Sequence, residues 1–167
     1  MDKSELRAAQ SPLKEKYKTN PEEAEWVLTA EGRVGDGIAC YVSTDAGEVE
    51  AGLHPATGGD GSQACSGDML LEALVACAGV TLKSVATAME IDIEEGTVKA
   101  EGVLDFKGTL AVSKEAPVGF KSITLHFDLT TDADEKKVEK LIELTERYCV
   151  IYQTLKNSPM LKTDIKI

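Results

Sequence analysis

Two of the four cysteines in this chain stand where thiol chemistry could arise. Cys77 lies inside a nearly continuous apolar run over residues 69–80, and Cys149 follows 72 residues later at the end of an amphipathic segment. A thiol inside a buried helix is normally inert packing material. It becomes a candidate redox nucleophile if a second thiol and a cation lie beside it. The chemistry of the chain therefore depends on whether such groups meet.

The surroundings that a helix would give Cys77 do not activate it. Helical spacing places aliphatic residues and Thr81 around the thiol, and we interpret this face as apolar. Burial there would raise the pKa of the thiol and suppress its reactivity. An activating cation must then come from elsewhere, and arginine suits because it stays protonated when desolvated. Arg33 follows the first predicted strand, and Arg147 precedes Cys149 by two residues on a face that we expect to point outward. The residues alone leave the choice open.

Other reactive residues carry weaker signals. The chain has no metal-binding, phosphate-loop or serine-hydrolase motif. We expect His126 to lie on the surface of a strand and His54 to be a solvated loop residue. Cys40 is expected to be a core residue, and Cys65 a packed or half-exposed small residue before the helix.

Residue patterns predict an α+β order of elements. Residues 1–25 predict an N-terminal helical extension that Pro12 interrupts and Asn20-Pro21 ends. Residues 26–167 then form a single domain. It begins with a three-stranded meander from Trp26 to Leu53 and continues with a central helix from Ser66 to about Met89, apolar on nearly every face.

The second half of the chain alternates strand and helix signals. Strands are predicted around residues 98–106 and 121–129, where apolar and polar residues alternate. A second helix is predicted from an N-cap at Asp132, with Val138, Leu141, Ile142, Thr145, Tyr148 and Cys149 on its inner face. Glu143 and Arg147 are expected to pair on its outer face. Residues 161–167 alternate again and predict a terminal strand.

Charge and composition exclude some classes of partner. The formal net charge of −11 argues against a nucleic-acid or anionic-membrane surface, since both need clustered Lys and Arg. The longest apolar stretch, Ala73 to Leu82, is shorter than the roughly 20 residues that a membrane span needs. The N-terminus lacks the apolar segment of a signal peptide. We therefore expect a cytoplasmic protein whose thiols are kept reduced.

At two segments the sequence resembles the OsmC/Ohr family, the osmotically inducible protein C and organic hydroperoxide resistance proteins. One segment runs from Cys65 to Cys77, and the other is Glu146-Arg147-Tyr148-Cys149. The order of the elements also agrees, over about residues 26–167. The N-terminal helix is similar to an extension found in a subgroup.

The resemblance implies a fold and a reaction. It implies an intertwined homodimer whose antiparallel sheets wrap around paired central helices. It also implies reduction of organic hydroperoxides, with Cys77 as the peroxidatic and Cys149 as the resolving cysteine. A dithiol reductant such as a lipoylated protein would restore the thiols, and no metal, haem or flavin would take part. A neighbouring arginine, matched by region to Arg33, would lower the pKa of Cys77.

The chain departs from the family pattern near the central helix. The family's site commonly has a glutamate there that holds the arginine, where this chain has Gly67 and Asp68. Asp68 is nine residues from Cys77, roughly 13 Å and half a turn away on a straight helix. Asp68 would take the role of that glutamate only if the helix starts later or if Asp68 acts across a dimer. Val150 also stands where many members have proline.

Two other functions remain open from the sequence. The chain could be a catalytically inactive relative with unreactive thiols that binds a small apolar ligand. It could also be a structural protein that binds a protein partner through its acidic surface. The reactivity of Cys77 distinguishes these functions from a peroxidase.

Overall fold

A computed structural model describes all of residues 1–167 and shows a mixture of helices and sheets, as predicted. The helices are α1 (Lys3–Thr19), α2 (Ser66–Met89), α3 (Phe106–Thr109), α4 (Glu135–Tyr148) and α5 (Val150–Lys156). The strands are β1 (Gly32–Val34), β2 (Cys40–Thr44), β3 (Gly47–Gly52), β4 (Ala64–Cys65), β5 (Glu95–Val103) and β6 (Ser122–Thr130).

Two sheets form from these strands. The first has the order β1-β2-β3-β4, in which β1, β2 and β3 pair antiparallel and the short β4 pairs parallel with β3. The second sheet pairs β5 with β6. Only β4, a two-residue strand that leads directly into α2, departs from the expected antiparallel pairing in the first sheet.

The chain divides into two compact units. The first contains residues 1–7, 73–98 and 127–167, and the second contains residues 8–72 and 99–126. In the first unit, α2 packs with α4 and the paired ends of β5 and β6. Leu82, Ala86, Ile91 and Leu141 form the centre of its core. The second unit holds the four-stranded sheet and the first turns of α2.

The central helix has the predicted bounds. Leu74, Ala78, Leu82 and Ala86 are buried at helical spacing, so one face of α2 lies in the core. Val80 lies on another face and is 74% exposed in the single chain. By length and composition α2 could also cross a membrane, a property that the core helices of soluble proteins share.

Both ends of the predicted domain lack their strands. Residues 26–30 and 158–167 have no regular secondary structure, and Trp26, Leu161 and Ile165 are exposed. Those strand predictions are wrong here because no strand of the chain pairs with either segment. The N-terminal helix α1 runs unbroken through Pro12, contrary to the predicted interruption, and ends at Thr19, before Asn20-Pro21, as predicted.

The second predicted helix differs in three details. Its N-cap is Asp134, whose carboxylate accepts a hydrogen bond from the Lys137 N–H at 3.0 Å, so the predicted cap at Asp132 is wrong. Tyr148 is exposed and does not belong to the inner face. The helix also stops at Tyr148, and a separate helix, α5, begins at Val150.

Candidate functional site: a hydrogen-bonded pair of thiols

The break between α4 and α5 places Cys149 at the end of one helix and the start of the next. Its N–H donates to the Thr145 carbonyl at 2.9 Å, which closes α4. Its sulfur accepts from the Tyr152 N–H at 3.5 Å and so caps α5. The Gln153 side chain donates to the Glu146 carbonyl at 2.8 Å and ties the two helices together. Cys149 is fully buried at this junction.

Cys77 lies on α2 and faces that junction. Its thiol is half-buried and lies close enough to Cys149 for each to influence the pKa of the other, although the two residues are far apart in the sequence. The N–H groups of Ile151 and Val150, in the first turn of α5, also act on the pKa of Cys77. First-turn N–H groups have no partner inside their own helix, so they are free to bind a thiolate.

The pKa of Cys77 is lowered by this environment. Burial is the largest influence and raises the pKa, but it is outweighed by the combined hydrogen bonds of Ile151, Cys149, Val150 and the Thr81 hydroxyl. Thr81 is one helical turn after Cys77. The interpretation of this face as wholly apolar is therefore wrong at Thr81, which contributes a donor.

The pKa of Cys149 moves in the opposite direction. Burial raises it first, and the negative charge and hydrogen bonding of Cys77 raise it further, against the lowering effect of the Tyr152 N–H. Of the two thiols, Cys77 is therefore the one that ionises more readily, because its pKa is lowered and that of Cys149 is raised. One thiol of the pair is prepared as a nucleophile and the other as its proton-bearing neighbour.

The other residues considered from the sequence lie elsewhere. Arg33 is on β1 in the second unit, where its guanidinium carbon is 4.5 Å from the centre of the Tyr41 ring. Arg147 is exposed, in agreement with its predicted outward direction. Its guanidinium carbon lies 5.5 Å from the centre of the Tyr148 ring. The predicted Glu143–Arg147 pair is absent, since Glu143 binds Lys140 at 2.7 Å.

Asp68 occupies the first turn of α2, in the second unit. The helix already begins at Ser66, so the alternative of a later start, which Asp68 would need in order to act on Cys77 of its own chain, is wrong. Nine residues of one helix separate the two side chains by roughly 13 Å along the axis. Asp68 therefore does not reach the thiol of its own chain.

Comparison with known proteins places the chain in a family. The family described as OsmC-like protein matches residues 59–164, which include both cysteines of the pair. The chain belongs to the OsmC-like protein family. None of the curated proteins matches it.

Solved structures of OsmC-like proteins share the fold at low sequence identity. An OsmC-like protein from Mycoplasma pneumoniae has a TM-score of 0.67 at 16% identity, covering 80% of this chain and 90% of that one. An organic hydroperoxide resistance protein from Elizabethkingia anophelis has a TM-score of 0.64 at 18% identity, covering 80% and 92%. One from Legionella pneumophila, OsmC, has a TM-score of 0.62 at 18% identity, covering 80% and 93%.

Proposed function

We propose that this OsmC-like protein is a thiol-dependent peroxidase that reduces organic hydroperoxides, with Cys77 as the peroxidatic and Cys149 as the resolving cysteine. The observation that carries the proposal is that Cys77 and Cys149, 72 residues apart in the sequence, lie close enough to shift each other's pKa, in opposite directions. A nucleophilic cysteine needs the thiolate form. A resolving cysteine must still be reduced and must be able to reach the sulfenic acid. The names of the similar structures from Elizabethkingia and Legionella support the substrate class.

The proposed reaction balances in three steps. The Cys77 thiolate attacks the distal oxygen of the hydroperoxide, the O–O bond breaks, and the alkoxide takes a proton and leaves as an alcohol. Cys77 is now a sulfenic acid. The Cys149 sulfur attacks the Cys77 sulfur, forming a disulfide and releasing water. An external dithiol, such as a lipoylated protein, reduces the disulfide and is itself oxidised.

The closeness of the two thiols supports the second step, because each one influences the pKa of the other. Disulfide formation would change the sulfur that accepts from the Tyr152 N–H, at the first turn of α5.

Arg33 is proposed as the cation that steadies the leaving oxygen, because the family resemblance matches the activating arginine to its region and a guanidinium can donate two hydrogen bonds to an oxyanion. Asp68 enters the mechanism only as a residue supplied by a second copy, because it does not reach Cys77 of its own chain. A homodimer is therefore part of the proposal. Arg33→Ala is expected to lower kcat/KM for cumene hydroperoxide, with Arg147→Ala as the matched exposed control. Equal losses in both variants would contradict the assignment of Arg33.

The cysteine assignments are tested by turnover of cumene hydroperoxide with dithiothreitol as the dithiol. Cys77→Ser is expected to abolish turnover. Cys149→Ser is expected to stop after one slow turnover, with a sulfenic acid on Cys77 detectable by mass spectrometry. Cys40→Ser, which changes a half-buried thiol of β2, serves as the control and should retain the activity. Full activity in Cys77→Ser would overturn the proposal.

A further inference from the structure

A cavity of about 340 Å³ lies at the N-terminal end of α2, and all the residues that line it belong to the second unit. Its volume falls within the range of small-molecule sites, which begins near roughly 300 Å³. The walls are mainly aliphatic and aromatic, with three polar side chains among them. The residues that matter here are His54, Cys65, Asp68, Leu71, Phe106 and Phe120.

The ring of His54 is held in a defined orientation. Its Nδ1 accepts a hydrogen bond from the Ala56 N–H at 3.0 Å, and the ring stacks on Phe106 with centroids 5.0 Å apart and planes 17° apart. Because Nδ1 is an acceptor, the neutral ring carries its hydrogen on Nε2. This Nε2–H has no partner in the protein. The cavity is thus lined by a fixed ring with an unused donor.

The other two polar groups set the charge that the cavity accepts. The Asp68 carboxylate and the Cys65 thiol form no hydrogen bond or ion pair within the chain. A carboxylate at the wall repels an anionic ligand, and there is no cation among the lining residues to offset it. An uncharged ligand with an oxygen acceptor for His54 fits these groups best.

We propose that this cavity binds a small uncharged aromatic compound that carries a hydroxyl group, of the phenol or aryl-alcohol class. The hydroxyl oxygen accepts from His54 Nε2–H, and the aromatic body contacts Phe106, Phe120 and Leu71. The proposal goes beyond peroxide reduction. Neither cysteine of the thiol pair lines the cavity, so binding here does not require thiol chemistry, and Asp68 is the one lining residue that the proposed peroxidase also uses.

Two glycines shape the cavity in different ways. A Cβ on Gly102 would lie 2.3 Å from Cε1 of Phe120, so only glycine lets that ring lie against β5. A Cβ on Gly67 would instead make ordinary contacts, at 3.6 Å from both Cys65 Sγ and Phe120 Cζ. A larger side chain at Gly67 would therefore fill the cavity without a clash at its first carbon. Since Gly67 is helical, replacing it also favours the helix.

The first test is a fluorescence titration of the full chain with 2-naphthol, which is uncharged at neutral pH. Wild type is expected to bind it, and Gly67→Leu is expected to weaken binding at least tenfold. Gly79→Ala, a change at another helical glycine of α2 where a Cβ meets only Val98 at 3.9 Å, should bind as wild type does. No binding by wild type, or equal binding by Gly67→Leu, would overturn the proposal.

The second test isolates the hydrogen bond. Wild type is expected to bind 2-naphthol about tenfold more tightly than naphthalene, which lacks the hydroxyl. His54→Phe keeps a ring against Phe106 but has no N–H donor, so it should bind both compounds equally. If His54→Phe still prefers 2-naphthol to naphthalene, His54 does not bind the hydroxyl group of the ligand.

A third measurement needs no variant. Saturating 2-naphthol is expected to slow the labelling of Cys65 by N-ethylmaleimide at least fivefold, as followed by peptide mass spectrometry. Cys40, also half-buried in the same unit, is the internal control and should be labelled at an unchanged rate. Equal rates at Cys65 with and without 2-naphthol would place the ligand elsewhere and overturn the proposal.

Discussion

At the scale of single residues, the two thiols of the pair differ in acid strength although both are removed from water. Burial raises the pKa of each. N–H groups at the start of α5 lower the pKa of both thiols, so they do not by themselves distinguish the two. Cys77 is further favoured in its charged form by Thr81 and by the Cys149 thiol. A negative charge on Cys77 then makes a second one nearby costly, which raises the pKa of Cys149.

This asymmetry predicts the pH dependence of alkylation. Because the pKa of Cys77 is lowered, its reaction with iodoacetamide should reach half its maximal rate at a lower pH than the reaction of free cysteine does. Cys149→Ala removes an S–H donor to the thiolate, so the midpoint should move to higher pH. Rates measured by peptide mass spectrometry across pH 5–10 check this. A wild-type midpoint above that of free cysteine would contradict it.

Thr81 gives a second prediction at this scale. Thr81→Val keeps the shape of the side chain and removes the hydroxyl that donates to Cys77, so the thiolate is less favoured. Alkylation of Cys77 at pH 7 should slow about fivefold, the effect of losing a hydrogen bond of about 1 kcal/mol.

The control for Thr81 lies on the same helix. Thr87 donates to the Lys83 carbonyl at 2.8 Å and contributes nothing to the pKa of Cys77. Thr87→Val should leave the alkylation rate unchanged. If both variants slow the reaction equally, the effect is a general one on α2 and the role of Thr81 is wrong.

At the scale of elements, the sequence predicts well those segments whose residue pattern reflects contacts that are made within the single chain. The period of two in β6 and the long apolar run of α2 are examples, and the bounds of both were close to those observed. The strands predicted at 26–30 and 161–167 failed for the opposite reason. Their patterns are those of strands, but a strand also needs a neighbour, and the chain provides none.

The candidate site was likewise predicted only in part from the sequence. The sequence singled out Cys77 and Cys149, since both lie in recognisable segments. It did not suggest the N–H groups of Val150 and Ile151, because these donors depend on a helix break that no Gly or Pro marks between Tyr148 and Val150. Thr81 could have been found from the sequence, because it is four residues from Cys77 on one helix and such residues are neighbours.

The start of α4 provides a prediction that separates the sequence pattern from the structure. Asp134→Ala removes the cap on the Lys137 N–H and should lower the free energy of unfolding by about 1 kcal/mol. Asp132→Ala changes the cap suggested by the sequence and should alter it by less than about 0.5 kcal/mol. Urea denaturation of both variants checks this. The reverse order would move the start of the helix to Asp132.

At the scale of the whole molecule, the single chain exposes apolar groups that its composition would otherwise bury. Val80 projects from α2, and the extended segments at both ends carry Trp26, Leu161 and Ile165 into solvent. A second copy would cover such surfaces and give the unpaired segments a neighbour, since an exposed strand-forming segment pairs readily with another chain. These observations support the homodimer proposed with the peroxidase.

Val80 provides the prediction for this assembly. Val80→Lys puts a charge on the exposed apolar face of α2, and burying that charge in a dimer interface is costly without a partner. Wild type should sediment as a dimer at micromolar concentration, and Val80→Lys should sediment mainly as a monomer. Val112→Lys is the matched control because Val112 is similarly exposed, at 71%, but lies in a loop outside the helices. A wild type that sediments as a monomer, or a dimer that tolerates Val80→Lys as well as Val112→Lys, would exclude α2 as the interface.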